Sequence, residues 1–242
     1  MSKIRRAYVI KLILRIMVLI ATIVLYFVAP DQFGVIEGWN FFKGFSVFHL
    51  LWLAWVIDMI VQLIPVKNNI ALGSQKYFKE RFRPVLDKIF DKEKFKKFIS
   101  DTNKAAGKVM ALWATFIAAI GALKHFKVLE NKHLFFISVA FYVCDLICVL
   151  IWCPFRLMLG NKCCTTCRIF NWDHLMMFTP MLFVGSFFST SLLIFSIIDI
   201  LIWEIVFYLH PERFWENSNM ALKCSECTDK LCTQYCQRLR KK

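Results

Sequence analysis

The sequence predicts an all-α integral membrane protein, a helical bundle of five to six transmembrane segments with a basic cytoplasmic helical loop and a Cys-rich loop and tail. Three observations predict it. Of 242 residues, 58% are hydrophobic and 20% charged, whereas soluble domains average about 25% charged and under about half apolar. The apolar excess is gathered into runs close to the roughly 20 residues that cross a hydrocarbon core of about 30 Å. Lys and Arg number 31 against 17 Asp and Glu, and the excess lies between the runs, as it does in cytoplasmic loops. The expected partner of that charge is a lipid bilayer with an anionic cytoplasmic leaflet, and no nucleic acid is expected.

The membrane domain occupies residues 1–209. Its first span, 7–29, follows Lys3, Arg5 and Arg6, which places the N-terminus inside. No small-residue cleavage site follows the run, so it reads as a retained helix. The second span, 45–64, ends at Pro65, which cannot continue a helix. The loop 66–108 holds twelve Lys or Arg and five acids and marks the cytoplasmic side. Within it Phe78, Phe82, Phe95 and Phe98 recur at helical spacing beside lysines, a pattern of amphipathic helices on the leaflet or of a self-packed hairpin. Spans 109–126 and 134–153 go out and back. The oily stretch 175–209 is too long for one crossing and slightly short for two. Pro180, Gly185 and the patch Ser186, Ser189, Thr190 and Ser191 interrupt it, giving a short or re-entrant segment, 172–187, and a full span, 191–209. That even count returns the tail, 210–242, to the cytoplasmic side of what is expected to be the plasma membrane. The tail has seven Lys or Arg against four acids, which agrees.

The Cys-rich loop 154–171 carries Cys163, Cys164 and Cys167, and the tail carries Cys224, Cys227, Cys232 and Cys236. Structural disulfides are disfavoured in a reducing cytosol, so metal or redox roles rise. Cys164 with Cys167 and Cys224 with Cys227 are two C-x2-C pairs, the spacing at which one tight turn supplies two thiolates to adjacent tetrahedral vertices. Together they would clip the loop to the tail around zinc or an iron–sulfur cluster, with His174 as an accessory ligand. The tail spacing departs from the ferredoxin run, which weighs against a self-contained cluster there. Cys232 and Cys236 also fit one face of a basic amphipathic helix. Cys144 and Cys148, one turn apart, read as packing residues.

Asp58, Asp145, Asp199 and Glu204 fall within apolar spans. A carboxylate in hydrocarbon is costly, so these residues should face the bundle interior, where they line a polar route or fix helix contacts. Glu204, near a helix end, would reach water. Lys11 and Arg15, if they do not snorkel to the inner surface, and His49 are candidate partners. Asp173 reads as a helix cap. No Walker loop, G-x-G-x-x-G, H-E-x-x-H or G-x-S-x-G occurs, so no enzyme class is indicated. Three functions remain: a membrane protein with a thiolate metal site, used structurally or in electron transfer; a cation or proton transporter using the intramembrane Asp residues; and a scaffold recruiting a protein partner.

Overall fold

A computed structural model of the chain describes residues 2–64, 77–85, 91–159, 167–227 and 231. The chain runs α1 (Lys3–Val28), α2 (Val47–Leu63), α3 (Lys92–His125), α4 (Asn131–Leu150), α5 (Pro154–Leu159), α6 (Asp173–Phe178) and α7 (Phe187–Leu209), joined by short 3-10 turns. Among the described residues there is no strand, only an isolated bridge between Pro84 and Asn219. Among the described residues four helices, α1, α3, α4 and α7, are long and apolar enough to cross a membrane. Of the expected five to six spans, four are full-length helices among the described residues, and α2 is a shorter apolar helix of 17 residues.

Local chemistry sets the helix ends. Ser2 accepts from the Arg5 N–H at 3.1 Å to open α1, and Pro30 begins the turn that follows it. Ser46 and His49 form a reciprocal cap on α2, the Ser46 N–H donating to His49 Nδ1 at 3.0 Å. Asp91 accepts from the Lys94 N–H at 3.1 Å and starts α3.

Two elements differ from the sequence expectation. α3 is continuous over 34 residues, about 51 Å, so span 109–126 is only its C-terminal half. Between Lys92 and His125 there is no proline, and Gly107 and Gly121 each cost only about 1 kcal/mol, while a change from basic to apolar composition does not stop a helix. Its basic half does not lie bare against a leaflet: Phe95 and Phe98 pack on Trp215, with ring centroids 5.3 and 6.0 Å away. The segment 172–187 is not one helix but a 3-10 turn (Arg168–Trp172), α6, and a second 3-10 turn (Thr179–Phe183). Gly185 then takes a φ of +65°, and Ser186 caps α7, which starts at Phe187 rather than Ser191. The Ser patch does not delay α7, because Ser189 is its capping-box partner and Ser191 bonds back to the Phe188 carbonyl at 3.1 Å.

The helix termini sort into two ends. At one, Tyr8 of α1 packs with Leu146 and Leu150 of α4, Phe170 and Leu231. Close by, Leu63 of α2, Tyr77, Trp203 and Phe207 of α7, and Leu222 form another cluster. A backbone clip ties the basic loop to the tail there: Met220 N–H donates to the Arg83 carbonyl at 2.8 Å and Val85 N–H to that of Ser218 at 3.1 Å. At the opposite end the Phe187 N–H donates to the Gly38 carbonyl at 3.0 Å, and Phe183 packs with Ile117, Ile120 and Leu134 near the α3–α4 turn. The segment from Arg168 to Phe183 thus runs from one end to the other. Between the ends Phe48, Trp55, Phe135, Phe178 and Phe188 form the core.

Candidate functional site: a buried carboxylate cluster

Arg15 lies midway along α1, where a guanidinium in hydrocarbon must find partners or deform the bilayer. It is 7% exposed and does not snorkel. Nη1 donates to Asp145 Oδ2 of α4 at 2.6 Å and to the Tyr142 carbonyl at 2.7 Å, while Nη2 donates to Asp58 Oδ2 of α2 at 3.2 Å. The guanidinium also sits 3.9 Å from the Tyr142 ring centroid. Lys11, one turn nearer the N-terminus, reaches Asp58 at 3.6 Å with its side chain 41% exposed. One cation therefore ties three helices, and short charge-assisted bonds of this kind fix their relative depth.

Beyond Asp58 the cluster continues into the broken segment. His174 faces Asp58 with Nε2 at 3.8 Å, and its Nδ1 lies 3.2 Å from Asp173 Oδ1 and 3.6 Å from Asp199 Oδ2 of α7. Gln62 donates to Asp173 Oδ2 at 3.2 Å, and Trp203 Nε1 donates to Asp199 Oδ1 at 3.1 Å. Asp173 is thus a member of the cluster, not the expected cap: Trp172 occupies the N-cap position of α6. His174 Nδ1 and Asp199 Oδ2 are buried with no hydrogen-bond partner among the described residues. Among those residues the group of His, Cys, Asp or Glu ligand atoms lying within 4.8 Å of one another is Asp173, His174 and Asp199.

A second cluster lies one turn further along α7. Arg168 bonds both carboxylate oxygens of Glu204 and the side chain of Asn103, and Trp172 Nε1 donates to Glu204 Oε1 at 2.8 Å. Glu204 is engaged by protein while its side chain remains 30% exposed. His49 is no partner of the intramembrane acids, because its ring caps α2 and contacts the Phe41 carbonyl at 2.8 Å.

An apolar cavity of about 390 Å³ adjoins the site. Trp113, Phe141, Cys148, Cys153 and Met176 line it, and Asp145 and Asp173 reach its wall. Of the predicted thiolate ligands, Cys167 is buried with Ala106, Val109, Ile169 and Trp172 at the start of the broken segment. Cys224 opens a 3-10 turn and Cys227 follows it, both half-buried in the tail. Cys163, Cys164, Cys232 and Cys236 lie outside the described residues.

Asp58, Asp145 and Asp199 come together as the sequence pattern alone cannot show. Sequence reasoning offered Arg15 as a candidate partner of the acids, with snorkelling as the alternative, and missed the roles of Asp173 and Gln62. The available signal was an arginine midway along an apolar run, whose burial demands carboxylates on neighbouring helices. Comparison with protein-family models, with curated proteins and with solved structures finds no match to the chain.

Proposed function

We propose that the chain is a cation-handling membrane protein in which the buried acids form the binding site for a proton or metal cation moving through the bundle. One observation carries this reading: Asp58, Asp145, Asp173 and Asp199 converge in an apolar interior where, among the described residues, the permanent positive charges paired with them are Arg15 and the half-exposed Lys11. Four carboxylates against two cations leave an acid excess. An apolar site does not hold uncompensated charge, so the balance is made up by a proton or a bound cation. The proposed topology has six crossings, α1, α2, α3, α4, the broken segment and α7, with both termini on the cytoplasmic side. A non-helical backbone at membrane depth is tolerated where protein surrounds it, as here. The test is flux in proteoliposomes with a pH-sensitive dye and with metal-sensitive dyes. Wild type is expected to move an ion, and Asp145→Asn to abolish the flux while keeping its elution profile. A wild type that moves none of them removes the transport reading.

A second reading, a thiolate metal site joining loop and tail, is favoured by a separate observation. Phe170, three residues after Cys167, shares a cluster with Leu231 of the tail, and Arg168 stacks on Phe207, whose cluster holds Leu222, close before Cys224. Loop and tail therefore meet at one end of the bundle, as two C-x2-C pairs sharing a zinc or iron–sulfur centre require. Metal analysis with absorption spectra of anaerobically purified protein tests it, since protein lacking both zinc and iron has no such site.

A further inference from the structure

We infer that Asp173, His174 and Asp199 bind one divalent first-row transition cation, of the class that accepts imidazole and carboxylate together and includes Mn²⁺. This deepens the cation-handling reading and rests on it for its role, but the site is argued from its own geometry. Three side chains from α6 and α7 bring ligand atoms within 4.8 Å of one another in the bundle interior. His174 and Asp199 are 3% and 1% exposed, and the Nδ1 of one and the Oδ2 of the other face each other without a hydrogen bond among the described residues. The 3.2 Å between Nδ1 and Asp173 Oδ1 matches an edge of a coordination polyhedron, and the 3.6 Å between Nδ1 and Asp199 Oδ2 is longer than one by a few tenths of an ångström. Metal–ligand bonds of about 2.1 Å place neighbouring ligand atoms about 3.0 to 3.4 Å apart.

The surroundings are those of oriented ligands. Metal-binding histidines direct the second ring nitrogen to a carboxylate, and carboxylate ligands are themselves held by hydrogen bonds. Here His174 turns Nε2 toward Asp58 at 3.8 Å, Gln62 holds Asp173 at 3.2 Å and Trp203 holds Asp199 at 3.1 Å. Charge agrees as well. With a neutral imidazole, the cluster's four carboxylates exceed Arg15 and Lys11 by two, so a divalent ion brings the interior to neutrality. One nitrogen and two carboxylate oxygens suit Mn²⁺ or Fe²⁺ better than a soft ion.

The probe is MnCl2 added to the purified full chain in detergent, with free Mn²⁺ followed by its six-line EPR signal. Thiolates do not select Mn²⁺, so the cysteine clusters do not imitate this readout. One saturable Mn²⁺ per chain is expected, with the binding lost in His174→Ala and Asp199→Asn. Gln62→Ala should weaken it by about 10- to 100-fold. Pulsed EPR of the wild type supplies a measurement that no variant's folding affects: bound Mn²⁺ should show the coupling of a single imidazole nitrogen. Absence of saturable binding overturns the proposal. So does bound Mn²⁺ without nitrogen coupling, or a folded Asp199→Asn variant that binds like wild type. Saturable binding without flux upholds the site and removes transport; flux without Mn²⁺ binding removes the site and leaves the proton reading.

Discussion

Replacing Arg15 by methionine keeps most of the side-chain volume and removes the charge that joins α1, α2 and α4. The variant leaves Asp58 and Asp145 facing an apolar side chain, with Lys11 the remaining cation, at 3.6 Å from Asp58 alone. Deleting one partner of a buried ion pair costs about 3–5 kcal/mol, and losing the contact with the Tyr142 ring adds about 0.5–2 kcal/mol. Protonation limits the damage. Neutralising a carboxyl at pH 7 costs about 4 kcal/mol relative to its unperturbed state, which caps the penalty for each acid. Arg15→Met should therefore destabilise by about 4–6 kcal/mol. Asp145→Asn in the same chain does permanently what protonation would do. The double variant should be less destabilised than the sum of the singles by about 2 kcal/mol, within the range for residues in one network. Equilibrium unfolding in mixed micelles, followed by tryptophan fluorescence, measures all three. A single Arg15→Met effect below about 1 kcal/mol, or additivity within about 0.5 kcal/mol, would refute Arg15 as the tie between the helices.

Other outcomes follow from particular contacts. A Cβ on Gly121 would lie 2.6 Å from Phe183 Cζ, so Gly121→Ala should cost about 1–3 kcal/mol by overpacking, and Phe183→Leu should recover part of it in the same unfolding assay. The Asn219 side chain accepts from the Arg83 and Ala221 N–H groups and donates to the Arg213 carbonyl at 2.8 Å. Asn219→Ala should cost about 1–3 kcal/mol and speed proteolysis after Leu209. The Lys94 N–H holds the Asp91 carboxyl below the usual carboxylate range, so its capping contribution is present at neutral pH and fades as pH falls through that lowered value. Hydrogen exchange at Lys94 and Phe95 should accelerate in Asp91→Ala at pH 7, and the difference from wild type should shrink in acid.

Helical class and the apolar spans were legible in the sequence because hydropathy is a sum over many residues, and single exceptions do not change it. Boundaries were less legible. α7 begins at Phe187 because Ser186 caps it, a decision made by one side chain amid several that could have served. The N-terminal half of α3 looked like a surface helix because its lysines are visible in sequence and Trp215, the ring it packs on, lies more than a hundred residues away. The candidate site divides in the same way. That Asp58, Asp145 and Asp199 should face inward follows from the cost of a carboxylate in hydrocarbon. Which cations meet them depends on helix rotation and depth, and neither is written in hydropathy. Asp173 was misread because an Asp beside an aromatic residue at a helix start is ordinarily a cap, and the N-cap position of Trp172 and the contact with Gln62 across the bundle reveal otherwise.

The tie at Arg15 also has a time axis. Its carboxylate partners lie 43 and 130 residues further along the chain, so at about 5–20 residues per second the second arrives roughly 7–26 s after the arginine has left the ribosome's catalytic centre. An unpaired arginine at the centre of a helix opposes insertion by about 2.5–3.5 kcal/mol. During that interval α1 is held by its own apolar length against a charge it has not yet satisfied. The N-terminal part of the same helix waits longer still, since Tyr8 packs with Leu231, more than two hundred residues further along the chain. α1 thus leaves the ribosome before every partner that holds it, and its packing is complete only when Leu231 has been translated.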